Sequence, residues 1–282
     1  MKFKALTAIA ALLAAPAFAG GADDDVLTID GQEMMSKVAA APALAETGID
    51  TAISGWHFRE DDTQAMQMDT FDNPAMIAVD QALDAWNAVE GTADKSCASC
   101  HGAPEESMAG VRAVYPKWNE AAGEMRTLAM QINTCRTENL GAEAYKYDGA
   151  EMTAMEALIT VQSRGMPMNV ATDGPAAEFF DKGKEIYYTR YGILELSCAN
   201  CHEQNYGNYI RADHLSQGQI NGFPTYRLKN AGLVQVHNRF RGCIRDTRGE
   251  TFAVGSPEFV ALEVYVSARG NGLSIEGPSV RQ

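Results

Sequence analysis

Two five-residue stretches, Cys97-Ala-Ser-Cys100-His101 and Cys198-Ala-Asn-Cys201-His202, each set two thiols three residues apart with an imidazole directly after the second. Two such thiols can add to the two vinyl groups of a porphyrin, and the adjacent histidine is then placed to ligate the iron from one face. Cys97, Cys100, Cys198 and Cys201 are therefore expected to attach two covalent c-type haems, with His101 and His202 as iron ligands. Three other uses of paired cysteines compete. A zinc site spaces its pairs roughly 15–20 residues apart, whereas these lie 101 apart and each carries its own histidine. A disulfide framework suits an exported chain but leaves both histidines unexplained. A redox Cys-x-x-Cys favours a βαβ setting, which this sequence lacks.

Electron-transfer haems often take methionine on the other face, yet none of the 13 methionines lies beyond Met168. The second haem must then draw on Cys243, His237, His214 or Lys229, and the first on Met166, Met168 or Cys135. Cys135 and Cys243 stand at matching places in the two halves, while the positions matching Met166 and Met168 hold Asn271 and Leu273. That favours cysteine at both irons over a pair of buried free thiols acting as small hydrophobes. A thiolate ligand pushes electron density onto iron and lowers its reduction potential.

Cys243 has a second property. Residues 226–248 carry Arg227, Lys229, Arg239, Arg241, Arg245 and Arg248 against the single acid Asp246, in a chain of net charge −14. Cationic neighbours favour the nucleophilic thiolate, and guanidinium forks bind small oxyanions through paired hydrogen bonds. A solvated basic face or a docking patch is the plainer reading of such a run. Cys135 has only Arg126 and Arg136 nearby, opposed by Glu124 and Glu138. Cys243 is thus the cysteine equipped for chemistry on an anion, and His57, His214 and His237 rank below it as ligands.

These residues need helices to hold them. Asn73-Pro74 is expected to start a helix whose apolar face is Met76, Val79, Leu83 and Trp86, leading into the first Cys-x-x-Cys-His. A helix reaching Cys135-Arg136 and another from about Glu151 to Gln162 follow. Pro175 opens a second such series (Phe179, Phe180, Ile186, Tyr187) before Cys198, and Ser256-Pro257 caps a last helix through Phe259, Leu262 and Val266. Tyr115-Pro-Lys-Trp118 and Phe223-Pro-Thr-Tyr226 each begin 20 residues before Cys135 and Cys243, and Ser163-Arg-Gly165 matches Ala268-Arg-Gly270. Four landmarks recur in order, at offsets of 101, 108, 108 and 105 residues. The expected fold is mainly α: two tandem cytochrome c-like helical domains, 61–168 and 169–282, from an internal duplication, after an irregular polar arm at 20–60.

Lys2 and Lys4, an apolar run from Ala5 to Ala15 and Ala17-Phe-Ala19 form a secretory signal peptide cleaved after Ala19. The run is too short for the roughly 20 residues of a spanning helix. About 263 residues remain with a formal charge of −16, which excludes nucleic acid and anionic membrane as partners. An exported, periplasmic protein is expected, since c-type haem is attached outside the cytoplasm.

With these residues in view, the chain resembles the SoxA family, the dihaem cytochrome subunits of the SoxAX complexes of bacterial sulfur oxidation. The resemblance covers essentially the whole mature chain. It rests on both haem motifs, Met68-Asp-Thr-Phe-Asp-Asn-Pro-Ala-Met76, Ile132-Asn-Thr-Cys-Arg136, Ser163-Arg-Gly-Met-Pro167, Phe223-Pro-Thr-Tyr-Arg-Leu228 and Arg239-Phe-Arg-Gly-Cys243. It implies an L-cysteine S-thiosulfotransferase that joins thiosulfate oxidatively to a cysteine of the carrier SoxYZ, with the monohaem cytochrome SoxX as heterodimer partner and electron acceptor. Cys243 then matches the active-site cysteine, both haem ligand and persulfide, Arg239 the substrate-binding arginine, and Cys135 the distal ligand of the other haem. Two rivals stand beside this: a thiosulfate dehydrogenase forming tetrathionate, and a dihaem electron carrier without sulfur chemistry.

Overall fold

The structure, a computed structural model, describes residues 26–282, so the signal peptide and the first residues of the arm fall outside the described residues. The described part of the arm is packed rather than irregular. Strands β1 (Thr28–Ile29) and β2 (Gln32–Glu33) form one antiparallel pair, β3 (Lys37–Ala39) and β4 (Thr51–Ile53) another. Leu27, Ile29, Met34 and Trp56 close into their own apolar cluster, with Trp56 only 1% exposed. Ser54 ties the arm to the far end of the chain by donating to Glu276 (2.6 Å).

Helices α1 (Asp61–Met68) and α2 (Met76–Asn87) follow. The start expected at Pro74 moves to Met76: Asn73 Oδ1 accepts from the Ala75 amide (3.0 Å) and closes a separate turn, while its Nδ2 donates to the Pro278 carbonyl. The buried face of α2 is Val79, Ala82 and Trp86, whereas Leu83, expected inside, is 38% exposed. Next come α3 (Cys97–His101), α4 (Pro104–Ser107), the antiparallel pair β5 (Lys117–Asn119) and β6 (Glu124–Arg126), α5 (Leu128–Thr134) and α6 (Ala150–Val161). Helix α6 packs on α2, burying Val79 and Trp86 against Met155 and Leu158.

The second half runs in a similar order, with the pair β7 (Tyr209–Ile210) and β8 (Asp213–His214) where the first half has α4: α7 (Ala177–Tyr188), α8 (Cys198–His202), β7 and β8, β9 (Thr225–Arg227), β10 (Gly232–Val234), α9 (Val236–Asp246) and α10 (Pro257–Arg269). Strand β11 (Ser279–Arg281) lies parallel to β9, on the side opposite β10. Helices α7 and α10 carry the core through Ile186, Tyr187, Phe259, Leu262 and Tyr265. Ser256 caps α10 as expected, accepting from the Phe259 amide. The expected mainly helical, cytochrome c-like fold is what the chain adopts.

The halves meet around buried polar groups. Glu156 of α6 and Glu263 of α10 line a cavity of about 10 Å³, room for one water, together with Arg112. His237 Nδ1 accepts from the Gly255 amide (3.0 Å), so its Nε2 carries the proton and faces Glu263 at 3.0 Å. Burial, with Glu263 beside it, pushes Glu156 up to about 8. The native state therefore holds a proton that the unfolded chain, with an ordinary carboxyl, releases above pH ~4.3. Stability should fall as pH rises from about 4.5 to 8 and level off beyond. Glu156→Gln keeps the shape and removes the ionisation. Its melting temperature should vary less across that window than the parent's and exceed it at pH 8. An unaltered pH profile would show that Glu156 is not the titrating group.

Candidate haem sites and active site

Each Cys-x-x-Cys-His stretch is a single helical turn held by a reciprocal cap. Ser96 Oγ accepts from the Ser99 amide (3.0 Å) while Ser99 Oγ accepts from the Ser96 amide (2.6 Å); Ser197 and Asn200 repeat the arrangement in α8. The cap fixes both cysteines, three residues apart, on one face of the turn. Burial raises Cys97 and Cys201 and pushes Cys198 up to about 12. Among the described residues no group of three or more His, Cys, Asp or Glu is gathered as a metal cage needs.

In the first half Cys97, Cys100 and His101 open onto a cavity of about 360 Å³, large enough for a cofactor. Its wall also carries Cys135, with Trp86, Leu128 and Met155 supplying apolar surface. Gln131 Nε2 donates to Cys135 Sγ at 3.4 Å, a contact that favours electron density on the sulfur. Just past α5 the chain widens into a π turn, Cys135–Leu140, a local distortion common at functional sites. Of the alternatives, neither Met166 nor Met168 lines this cavity, and Met168 is buried in the core of the second half.

In the second half His202 Nδ1 donates to the Ser216 carbonyl (2.8 Å), leaving the Nε2 lone pair for a metal. Burial depresses His202 to about 4, so the ring is neutral and ready to ligate. Gly218, at φ +78°, permits this contact, because a Cβ there would sit 2.9 Å from the imidazole. Arg239 and Cys243 lie one turn apart on the same face of α9. The Cys243 sulfur holds the Arg239 guanidinium above its usual range, overcoming burial. Of the alternative ligands, His237 is engaged with Glu263 and His214 with the Gly207 carbonyl and the Tyr209 ring, while Lys229 is exposed.

The run of arginines divides. Arg241 pairs with Asp148 (3.2 Å), exposed Arg245 pairs with Asp246 (2.9 Å), and Arg248 is exposed at the end of the helix. Into their place come Arg227 of β9, within electrostatic range of Cys243, and Arg59 from the arm. Arg59, Asp213 and Gly218 were not singled out by the sequence, and nothing in their local context marks them.

The residues present fit covalently bound haem: two capped attachment turns, a histidine aimed past each, and a cavity that joins one histidine to a cysteine. Fold and sites together define a c-type cytochrome. Residues 81–168 match the family model of the SoxA/TsdA cytochrome c domain. The chain is 60% identical over 276 residues to the L-cysteine S-thiosulfotransferase subunit SoxA of Rhodovulum sulfidophilum, covering 96% of each. It is 56% identical to the SoxA subunit of Paracoccus pantotrophus over 98% of this chain and 96% of that one. The crystal structure of SoxXA from P. pantotrophus superposes with a TM-score of 0.87, covering 91% of this chain and 97% of that chain. The chain belongs to the SoxA family.

Proposed function

We propose that the protein is the haem-bearing subunit of an L-cysteine S-thiosulfotransferase, transferring thiosulfate oxidatively onto a cysteine of a SoxYZ-type carrier. The observation that carries this is the placement of Arg239 one turn before Cys243 on the same helix, within electrostatic range of that sulfur. Cys97 and Cys100, then Cys198 and Cys201, would hold two haems by thioether bonds, with His101 and Cys135, and His202 and Cys243, available to ligate the irons. The sulfonate oxygens of thiosulfate accept hydrogen bonds from Arg239, which sets the terminal sulfur beside Cys243. A sulfur–sulfur bond joins Cys243 thiolate to that sulfur, and two electrons are released. The carrier's cysteine thiolate then attacks the same outer sulfur, breaks its bond to Cys243 and leaves as a cysteine S-thiosulfonate, returning Cys243 as thiolate. Bound haem supplies the one-electron acceptors for the released pair. A SoxX-type monohaem cytochrome completes the electron path as heterodimer partner.

The division into an arm at 20–60 and units at 61–168 and 169–282, derived by duplication, is supported by the similar order of elements in the two halves. Export to the periplasm with cleavage after Ala19 rests on the charged, apolar and Ala-x-Ala segments of the N-terminus. No helix among the described residues is long and apolar enough to cross a membrane.

The test is thiosulfate-dependent haem reduction by the complex with its monohaem partner, with and without a carrier protein bearing a free cysteine. Sustained reduction should require the carrier, whose cysteine gains a thiosulfonate group detectable by mass. Sustained turnover to tetrathionate with thiosulfate alone would replace this reading with the dehydrogenase.

A further inference from the structure

The two halves differ at two equivalent positions in a way the haems do not explain. In each half a cis proline, Pro116 or Pro224, leads into the first strand of a hairpin, whose third residue after the proline is Asn119 or Arg227. In each half a side-chain-capped helix follows, capped by Thr127 or Gln235, and four residues before its cysteine stands Gln131 or Arg239. In the first half these positions form an amide pair, Asn119 Nδ2 to Gln131 Oε1 at 3.4 Å. The nearby Arg126 also bonds Gln131 but is neutralised by Glu124 at 2.6 Å. In the second half both positions are guanidiniums, and the place of Arg126 is taken by Val234.

Two cations where an amide pair would fit repel each other, and the local acid does not balance them. Arg227 is only 8% exposed, and its Nε and Nη2 have no hydrogen-bond partner. Its one acidic neighbour, Asp213 of β8, stands at 4.0 Å, beyond hydrogen-bond reach. Arg59 adds a third cation, bonded to the His214 carbonyl but with its Nε also unpartnered. Arg281 is held by Glu276, and Asp246, which Arg239 also feels, already pairs with Arg245. Buried guanidinium donors left unmatched are costly, and a small anion accepting from both forks removes that cost. A haem propionate is the obvious rival occupant. Both haems carry propionates, however, and the equivalent positions beside Cys135 carry no charge. The cation pair answers to something found only beside Cys243.

We propose that Arg227 is a second oxyanion-binding residue of the Cys243 site, which with Arg239 grips the sulfonate end of a small dianion such as thiosulfate. This rests on the thiosulfotransferase reading above. Arg239 approaches along the helix that carries the reacting sulfur, and Arg227 approaches from the strand. The sulfonate is held between them and the terminal sulfur is left free to turn toward Cys243. Asp213, near Arg227 and felt by Arg239, keeps the empty site from carrying three uncompensated charges.

The experiment compares the haem-loaded complex of the parent, Arg227→Gln and Arg227→Lys. It measures thiosulfate binding by calorimetry without carrier, KM and kcat with carrier, and haem content and the reduction potential of each haem. Loss of one charge-assisted fork should weaken thiosulfate binding by about ten- to a hundredfold. The KM should rise in step with kcat largely kept, the lysine variant should fall between, haem content should match the parent, and only the second-haem potential should fall, because a cation has left its surroundings. Unchanged thiosulfate binding in Arg227→Gln, with the parent binding normally, overturns the proposal alone. A second haem that is lost or loosened in that case would identify Arg227 as a propionate partner. A parent complex that binds no thiosulfate overturns both this proposal and the transferase reading beneath it.

Discussion

Replacing Cys243 by alanine should lower carrier-dependent thiosulfate turnover by at least about a thousandfold, the scale on which enzymes lose activity without their nucleophile. Cys135→Ala should keep most of the activity. The contrast is the informative part, because the two substitutions are chemically identical and fall at equivalent helix positions in the two halves. Each removes a sulfur that lies near a Cys-x-x-Cys-His turn. They differ in surroundings: Cys135 receives a hydrogen bond from the neutral amide of Gln131, whereas Cys243 lies within electrostatic range of the cationic Arg239. Steady-state assays with the monohaem partner present, normalised to haem content, separate the outcomes. Equal losses in both variants would mean that the cysteines serve only as ligands and that turnover needs both haems. Retained activity in Cys243→Ala would place the sulfur chemistry elsewhere.

The largest expected effect on stability comes from a residue with no side chain. Gly183 sits where α7 crosses α10, and a Cβ added there would lie 2.1 Å from the Ala261 carbonyl oxygen and 2.7 Å from Tyr265 Cβ. Both obstacles are close to the backbone, so neither can swing aside. The helices must move apart, and the packing of Ile186, Tyr187, Leu262 and Tyr265 loosens with them. Gly183→Ala should therefore cost near the upper end of overpacking penalties, about 3 kcal/mol, although alanine is the better helix former. In a chain of this size that corresponds to a fall in Tm of roughly 6–12 °C. A thermal melt followed by near-ultraviolet circular dichroism measures it, and a Tm equal to the parent's would show that the crossing is slack. The matching place in α2 holds Ala82, which is buried without difficulty. The close approach is thus a feature of the second half.

How much of this was legible in the sequence follows the distance over which each signal acts. The attachment turns are local: Ser96-Cys97-Ala-Ser99 and Ser197-Cys198-Ala-Asn200 contain their own caps, so motif and conformation coincide. Arg239 and Cys243 are four residues apart, and a helix of the observed kind follows from that stretch. Helices α6 and α10 also stand where the sequence places them, α10 down to its serine cap and first-turn proline, while α7 starts at Ala177, two residues past the expected Pro175. The order in the arm is not legible because its strands are two or three residues long, too short for alternation to show, and its cluster is closed by Trp56 from the far end of the same arm. The start of α2 was misplaced because Asn73 caps a turn and reaches across to Pro278, a contact with no trace in neighbouring residues. The arginine run misled in a similar way. Charge density along the chain counted Arg241 and Arg245, which turn to Asp148 and Asp246, and gave no weight to Arg59, which comes from almost 200 residues upstream of Cys243.

The amide pair of Asn119 and Gln131 and the guanidinium pair of Arg227 and Arg239 give the protein an internal reference. If both irons carry the same histidine and cysteine ligands, coordination chemistry contributes equally to both. Whatever separates the two redox couples then reports the field of the protein around them, read against a neutral twin in the same molecule and the same buffer. A comparison that elsewhere needs a panel of mutants is here built into one polypeptide. Each half is the control for the other, and the gap between their potentials measures what specialising one copy for an anion does to its metal.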